Sequence, residues 1–326
     1  MSNIFSISSS ADFTRACLDT FRRQAAECEP YARYLSCLGV DAGAVDEVSK
    51  IPFLPIEFFK TERVVCGSAE PQVTFTSSGT TGAETSRHHV IDVSLYEEAF
   101  TRGFEHFYGS VKGYCILALL PGYLERQGSS LVYMVESLVR QSGHPQSGFY
   151  LHNHAELVKT LCALREANQP TILIGVTFAL LDLVEGWGGG VLPQWGSLTV
   201  METGGMKGRR QELPREELHR RLCAAFGVEA IHSEYGMTEL LSQAYSAGRG
   251  KFCAPPWMRI ALRDLHNPFA PAGTGATGGV NVIDLANRHS CAFIETQDLG
   301  RAAPDGSVEI LGRIDKSQAR GCSMLV

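Results

Sequence analysis

Between residues 72 and 236, short runs rich in β-branched residues alternate with segments of helical periodicity, and that alternation leaves the chain few architectures. QVTFT (72–76), YCILALL (114–120), TILIG (171–175), SLTVME (197–202) and VEAIHSEYG (228–236) read as strands. Between them, SLYEEAFTRGFEHFYG, SSLVYMVESLVRQSG and PREELHRRLCAAFG read as helices, the last two ending at glycine as helix C-termini commonly do. Such alternation predicts an α/β fold, a mostly parallel sheet covered by helices. An earlier helix is expected over about residues 10–40, with Ser10 as its N-cap and Phe13, Cys17, Phe21 and Ala25 as a core-facing stripe. Pro52 and Pro55 then interrupt IPFLPIEFFK. From about residue 253, Gly, Pro and β-branched residues dominate. This predicts a smaller β-rich subdomain, dividing the chain into 1–252 and 253–326.

Composition removes several classes of function. A net charge of -6 gives no basic face for nucleic acid. No apolar run approaches the roughly 20 residues that span a bilayer; YCILALL and TILIGVTFALLDL are short and end at turn residues. The N-terminal MSNIFSISSS lacks the basic-then-apolar order of a secretory signal. The 10 cysteines are scattered without a C-x-x-C pair, so a zinc ribbon or redox dithiol is not expected. Reduced thiols in a cytoplasm are the expectation, with Cys17, Cys115, Cys162 and Cys223 as small core hydrophobes.

Four stretches carry candidate chemistry. In TFTSSGTTGAETSRH (Thr74 to His88), a strand runs into Ser77, Ser78, Gly79, Thr80, Thr81 and Gly82. Glycines allow close approach, and amides with hydroxyls supply donors for phosphate oxygens. No Lys-Ser/Thr follows, so this is not a Walker A loop; the alternative is a plain surface turn. In HSEYGMTELLSQ (His232 to Gln243), Tyr235 suits stacking on a base, Thr238 a phosphate contact and Glu239 a hard cation such as Mg²⁺. The alternative there is a turn opening an amphipathic helix. TQDLG (Thr296 to Gly300) and LGRIDKSQARG (Leu311 to Gly321) place an Asp and an Arg near strand ends, where they suit ribose hydroxyls, although both are common turn pieces.

Three further patterns point elsewhere. GTGATG (Gly273 to Gly278) matches a dinucleotide pattern but is followed by GGVNVIDL, which reads as a strand rather than a helix. His88-His89 and His152-x-His154 lack acidic or thiol partners at ligand spacing, so they read as surface or satisfied core histidines. GWGGG (Gly186 to Gly190) reads as a flexible loop.

A Ser/Thr/Gly loop, then Tyr-Gly-x-Thr-Glu, then Thr-x-Asp, then Gly-Arg-x-Asp, is the series found in adenylate-forming enzymes, the acyl- and aryl-CoA ligases and luciferases. IPFLPIEFFKTERV, GYLERQGSSLVYMV, METGGMKGRR and EYGMTELLSQAY narrow the resemblance to the acyl-protein synthetases of bacterial bioluminescence, the LuxE-like family, from about residue 10 to the end. The resemblance implies the N-terminal-type domain of those enzymes without their large C-terminal lid. It implies ATP-dependent activation of a carboxylic acid, expected to be a fatty acid, and transfer of the acyl group to a cysteine near the C-terminus. The matching cysteine is Cys322. Ser77 to Gly82 would cradle the phosphates, and Gly204, Gly205 and Met206 would line the adenine. Tyr235 would stack on it, with Gly236 and Met237 beside it. Thr238 would touch the α-phosphate, Glu239 would bind Mg²⁺, and Asp298 with Arg313 would hold the ribose.

Two departures qualify this. The phosphate loop continues as AETSRHH, with Arg87 and His88 but no lysine, and Lys316 does not match the lid lysine of the larger enzymes. Chemistry is then expected to be slow alone or to need closure by a partner, such as an acyl reductase, an acyltransferase or an acyl carrier protein. The tail GRIDKSQARGCSMLV places Arg320 where it would stabilise a Cys322 thiolate. Two other functions fit the same motifs: a ligase that hands the acyl group to CoA or a carrier-protein phosphopantetheine, and a nucleotide-binding subunit without catalysis.

Overall fold

The computed structural model describes residues 3–77, 85–120, 128–151, 153–187, 191–204, 213–273 and 275–314. The chain opens with α1 (Ser10–Glu27) and α2 (Glu29–Cys37). The expected single helix is therefore two. The break falls at Cys28, whose extended backbone precedes Pro30, a residue that starts a helix well but disrupts one's interior. The cap is Ser9 rather than Ser10: the Ser9 hydroxyl oxygen accepts the Asp12 N–H, one turn in. The stripe of Phe13, Cys17 and Phe21 is buried as its spacing requires.

There follow β1 (Leu54–Pro55), α3 (Phe58–Thr61), β2 (Val73–Thr76) and β3 (Arg87–Val90). The α/β stretch continues with α4 (Val93–Tyr108), β4 (Cys115–Leu119), α5 (Ser130–Ser142), β5 (Gly148–Phe149), α6 (His154–Glu166) and β6 (Thr171–Gly175). Next come α7 (Thr177–Gly186), β7 (Leu198–Glu202), α8 (Arg215–Phe226), β8 (Ile231–Tyr235) and β9 (Ala244–Ser246). The last part is β10 (Lys251–Phe252), β11 (Met258–Arg263), β12 (Thr277–Asp284), β13 (Phe293–Ala302) and β14 (Val308–Arg313).

The first of two six-stranded sheets runs β5-β4-β6-β7-β8-β9, parallel except for β9. Every residue of β4 and β6 is buried, the pattern of strands covered on both faces. α5 and α8 end at Gly143 and Gly227, both in the left-handed region. At Gly227 a Cβ would lie 2.4 Å from the Leu192 carbonyl oxygen, so only glycine fits. α7 was not legible as a helix. It is apolar on nearly all faces and merges in sequence with β6.

The second sheet runs β10-β14-β13-β12-β11, antiparallel, with β1 added in parallel beside β13. This sheet thus draws in Leu54 and Pro55 from far upstream and begins at Lys251. Gln24 of α1 is buried against it: its amide donates to the Asn287 carbonyl at 2.7 Å and its side-chain oxygen accepts the Ala292 N–H at 2.9 Å. Reciprocal bonds between Tyr245 and Cys253, at 3.0 and 2.9 Å, stitch the two sheets together beyond β9. The GTGATG run leads into β12, not into a helix.

Candidate active site

In open α/β sheets, ligands bind beyond the carboxyl ends of the parallel strands. Here β6, β7 and β8 end side by side at Gly175, Glu202 and Tyr235. The β2–β3 hairpin and the β13–β14 pair meet at the same end through residues that follow β8.

The hairpin carries the Ser/Thr/Gly loop; residues 78–84 lie outside the described residues, so Ser78, Gly79, Thr80, Thr81 and Gly82 are not described. Its neck is closed by Ser77 and Ser86. The Ser77 N–H donates to the Ser86 carbonyl at 3.1 Å, and the Ser86 N–H donates to the Ser77 hydroxyl oxygen at 2.9 Å. Ser77 therefore helps to close the neck of the hairpin.

His88 ties this hairpin to the Tyr-Gly-Met-Thr-Glu segment. It is almost wholly buried, and its Nδ1 lies 2.9 Å from the Thr238 carbonyl oxygen. A carbonyl only accepts, so Nδ1 carries the proton. Burial pushes the imidazole down to about 4, which keeps it neutral. His89 instead pairs with Thr74 across the hairpin at 3.0 Å. Neither histidine faces a metal cluster, and no group of three potential ligands occurs among the described residues. His152 lies outside the described residues.

Thr238 and Glu239 sit in a segment fixed from behind by polar groups that the sequence did not reveal. The Asn287 amide donates to the Glu239 carbonyl at 2.8 Å. Asp284, fully buried, accepts the N–H of Leu241 at 2.8 Å and of Ser242 at 2.9 Å. It also takes the Ser242 hydroxyl at 2.6 Å and the Ala286 N–H at 3.1 Å. The available signal was a lone carboxylate inside the apolar run GGVNVIDL, since a buried charge needs partners.

Glu239 is 5% exposed. Burial pushes its pKa up, opposed by the Ser86 hydroxyl and by the charges of Arg313 and Lys60. The charge of Lys60, from IPFLPIEFFK, thus bears on the Glu239 carboxyl.

Asp298 and Arg313 are register partners in β13 and β14. The Tyr235 hydroxyl donates to Asp298 Oδ2 at 2.8 Å, and Arg313 Nε lies 3.8 Å from Asp298 Oδ1. The Asp298 N–H donates to Thr296 Oγ1 at 3.1 Å, so Thr-x-Asp forms its own small turn of hydrogen bonds. Burial raises Asp298, with Tyr235 and Arg313 pulling the other way. The Tyr235 ring packs at 5.8 Å from Phe252. Replacing Tyr235 by Phe removes the bond to Asp298. It should raise KM for ATP by about tenfold, with a smaller effect on kcat, as measured by AMP formation against ATP concentration.

Gly204, two residues past β7, lies in the left-handed region at φ 71, and its N–H donates to Glu202 Oε2 at 2.6 Å. The same oxygen accepts the Thr177 hydroxyl at 3.1 Å. Gly205 and Met206 lie outside the described residues, as do Lys316, Arg320 and Cys322. Of the expected site, the structure brings together Ser77, Tyr235, Gly236, Met237, Thr238, Glu239, Asp298 and Arg313 and adds Ser86 and His88 around them.

This fold is that of adenylate-forming ligases. An open conformation of 2-hydroxyisobutyryl-CoA ligase, in complex with 2-HIB-AMP and CoA, matches with a TM-score of 0.69 at 11% identity, over 95% of this chain and 72% of that one. The same ligase in its postadenylation state gives 0.67 at 12% identity, over 95% and 69%. ATP-bound MatB from Rhodopseudomonas palustris gives 0.52 at 18% identity, over 74% and 47%. At these identities the likeness establishes the fold. No curated protein matches the chain in sequence.

The family model "Acyl-protein synthetase, LuxE" matches residues 6–326, and the chain belongs to that family. It is an AMP-forming, ATP-using ligase that makes an acyl-adenylate and passes on the acyl group.

Proposed function

We propose that the chain activates a carboxylic acid, a fatty acid on the family resemblance, and passes the acyl group to the Cys322 thiol. The observation that carries this is the family match over residues 6–326, joined to a site whose surviving parts converge at one sheet end. In the first step a carboxylate oxygen attacks the α-phosphorus of ATP; the bond to the β-phosphate oxygen breaks, giving acyl-adenylate and pyrophosphate. In the second, a thiolate attacks the acyl carbon and AMP leaves with the bonding electrons. Fixed donors already aimed at the developing charge lower both barriers, because they need not reorganise.

The chain's residues divide the work as follows. Tyr235 offers a ring for the adenine, with Gly204, Gly205, Met206, Gly236 and Met237 around it, and its hydroxyl holds Asp298 in place for the ribose, with Arg313 beside it. Ser77 to Gly82 offer donors to the phosphates, and Thr238 offers its hydroxyl to the α-phosphate. Mg²⁺, when bound, supplies countercharge to the phosphates. A single buried carboxylate, Glu239, with substrate oxygens and waters completing the shell, is a donor set that suits this ion. Glu239→Gln should therefore lower kcat for AMP formation by about 100-fold and raise the Mg²⁺ concentration needed for half-maximal rate. An unchanged Mg²⁺ requirement would assign the ion elsewhere.

The deciding experiment is intact-mass analysis with ATP, Mg²⁺ and a panel of carboxylic acids, with AMP measured in parallel. AMP formation that depends on the acid, with a mass gain equal to one acyl group, supports the whole reading. AMP formation only when CoA or a phosphopantetheinyl carrier is added favours the ligase reading. We propose a cytoplasmic setting, which suits free thiols at all nine described cysteines. No helix among the described residues is long and apolar enough to cross a membrane.

A further inference from the structure

Directly beneath Tyr235 lies a buried polar pair that the adenylation chemistry does not use. Glu234 of β8 and Tyr245 of β9 are opposed residues in the antiparallel register, so their side chains share one face and start about 5 Å apart. Glu234 is 8% exposed and Tyr245 3%. The Tyr245 hydroxyl has no hydrogen-bond partner among the described residues. The Gln243 side-chain oxygen, two residues before Tyr245, is likewise buried and unpartnered among them.

These groups stand at the nucleotide motif itself. A Cβ on Gly236 would lie 2.5 Å from Glu234 Oε1 and 3.3 Å from Gln243 Cγ, so the carboxyl is folded against the glycine next to Tyr235. The rings of Tyr108 and Phe107 from α4 close the far side, 5.5 and 5.3 Å from that of Tyr245. The Tyr108 hydroxyl is already paired with His232 at 3.1 Å. A buried polar group left unpaired is costly, so two in one spot at the ligand-binding end of a sheet call for a ligand that pairs them.

We propose that Glu234 and Tyr245 bind the chain of the acid substrate and select a carboxylic acid that bears a hydroxyl group over its plain alkyl counterpart. The inference rests on the acid-activating reading above. The state of Glu234 agrees with it. Glu202, the neighbouring carboxylate, stays ionised through the donors it faces. Burial first, and that charge second, push Glu234 up to about 8. A protonated Glu234 can donate to a substrate hydroxyl while Tyr245 or Gln243 accepts from it or donates in turn. A plain methylene in this place would leave the Tyr245 hydroxyl and the Gln243 side-chain oxygen unpaired.

The test is acid-dependent pyrophosphate release with matched acids: butanoate against 2-, 3- and 4-hydroxybutanoate, and decanoate against 3-hydroxydecanoate. At least one hydroxy acid should exceed its plain counterpart in kcat/KM by about 10- to 100-fold. Glu234→Gln, which keeps a donor and an acceptor, should retain the preference. Glu234→Leu should bring the ratio near one or invert it. Equal use of hydroxy and plain acids by the native protein overturns the proposal and leaves bound water as the partner of this pair. So does a preference untouched by Glu234→Leu when Glu234→Gln is also folded and active. Release of no pyrophosphate with any acid removes the adenylation reading, and this inference with it.

Discussion

Cys322→Ala is expected to release pyrophosphate with ATP and acid at close to the native single-turnover rate, yet to show no gain of acyl mass. The two readouts separate because the acyl-adenylate forms without the thiol. Cys322 lies outside the described residues, so the expectation rests on family membership and on the chemistry. A thiolate is the strongest nucleophile that the tail offers, and a thioester forms only if a thiolate attacks the mixed anhydride. Multiple-turnover AMP formation should fall by at least about 100-fold, since hydrolysis of the adenylate replaces transfer. Full acyl labelling of Cys322→Ala would move the acceptor to another cysteine. Among the described ones, only Cys37 and Cys253 are exposed.

Asp284→Ala is expected to have the second largest effect, on stability and activity together. The carboxylate takes three backbone N–H groups and one hydroxyl, all within the segment that presents Thr238 and Glu239 or the turn behind it. Removing it strands these donors in a water-free interior and should destabilise the protein by about 3–5 kcal/mol. For a chain of this size that lowers Tm by roughly 10 °C. AMP formation below the new Tm should also fall, because the segment that carries Glu239 is held from behind by Asp284. The check is thermal unfolding plus AMP formation at 20 °C for Asp284→Ala and Asp284→Asn. An Ala variant with native Tm and native kcat would show that the clamp is dispensable.

The strands read from the sequence, QVTFT, YCILALL, TILIG, SLTVME and VEAIHSEYG, all contain a strand of the structure; the last four lie in the sheet that is parallel but for β9, whereas QVTFT forms β2 of the separate antiparallel β2–β3 hairpin. They were legible because a buried parallel strand is a short continuous apolar run bounded by turns. The motif residues were legible for another reason: Tyr235, Thr238, Glu239, Asp298 and Arg313 fall in a fixed order, each in a short recognisable string. α6 and α7 were not legible. In α7 apolar residues surround the axis, so no face distinguishes a buried helix from a buried strand.

By itself the sequence determined the alternating α/β plan, the change to β-rich structure near residue 253, and the series of nucleotide-site motifs. These depend on local periodicity and local strings. Only the tertiary structure decided which groups meet. It placed Leu54 and Pro55 beside β13 and turned His88 inward to the Thr238 carbonyl. It also set Asp284 behind the Thr-Glu segment and opposed Glu234 to Tyr245. Each is a pairing between residues distant in sequence or on adjoining strands. Its geometry follows from sheet register and from the burial of polar groups that must find partners, and neither is written in any single stretch of the chain.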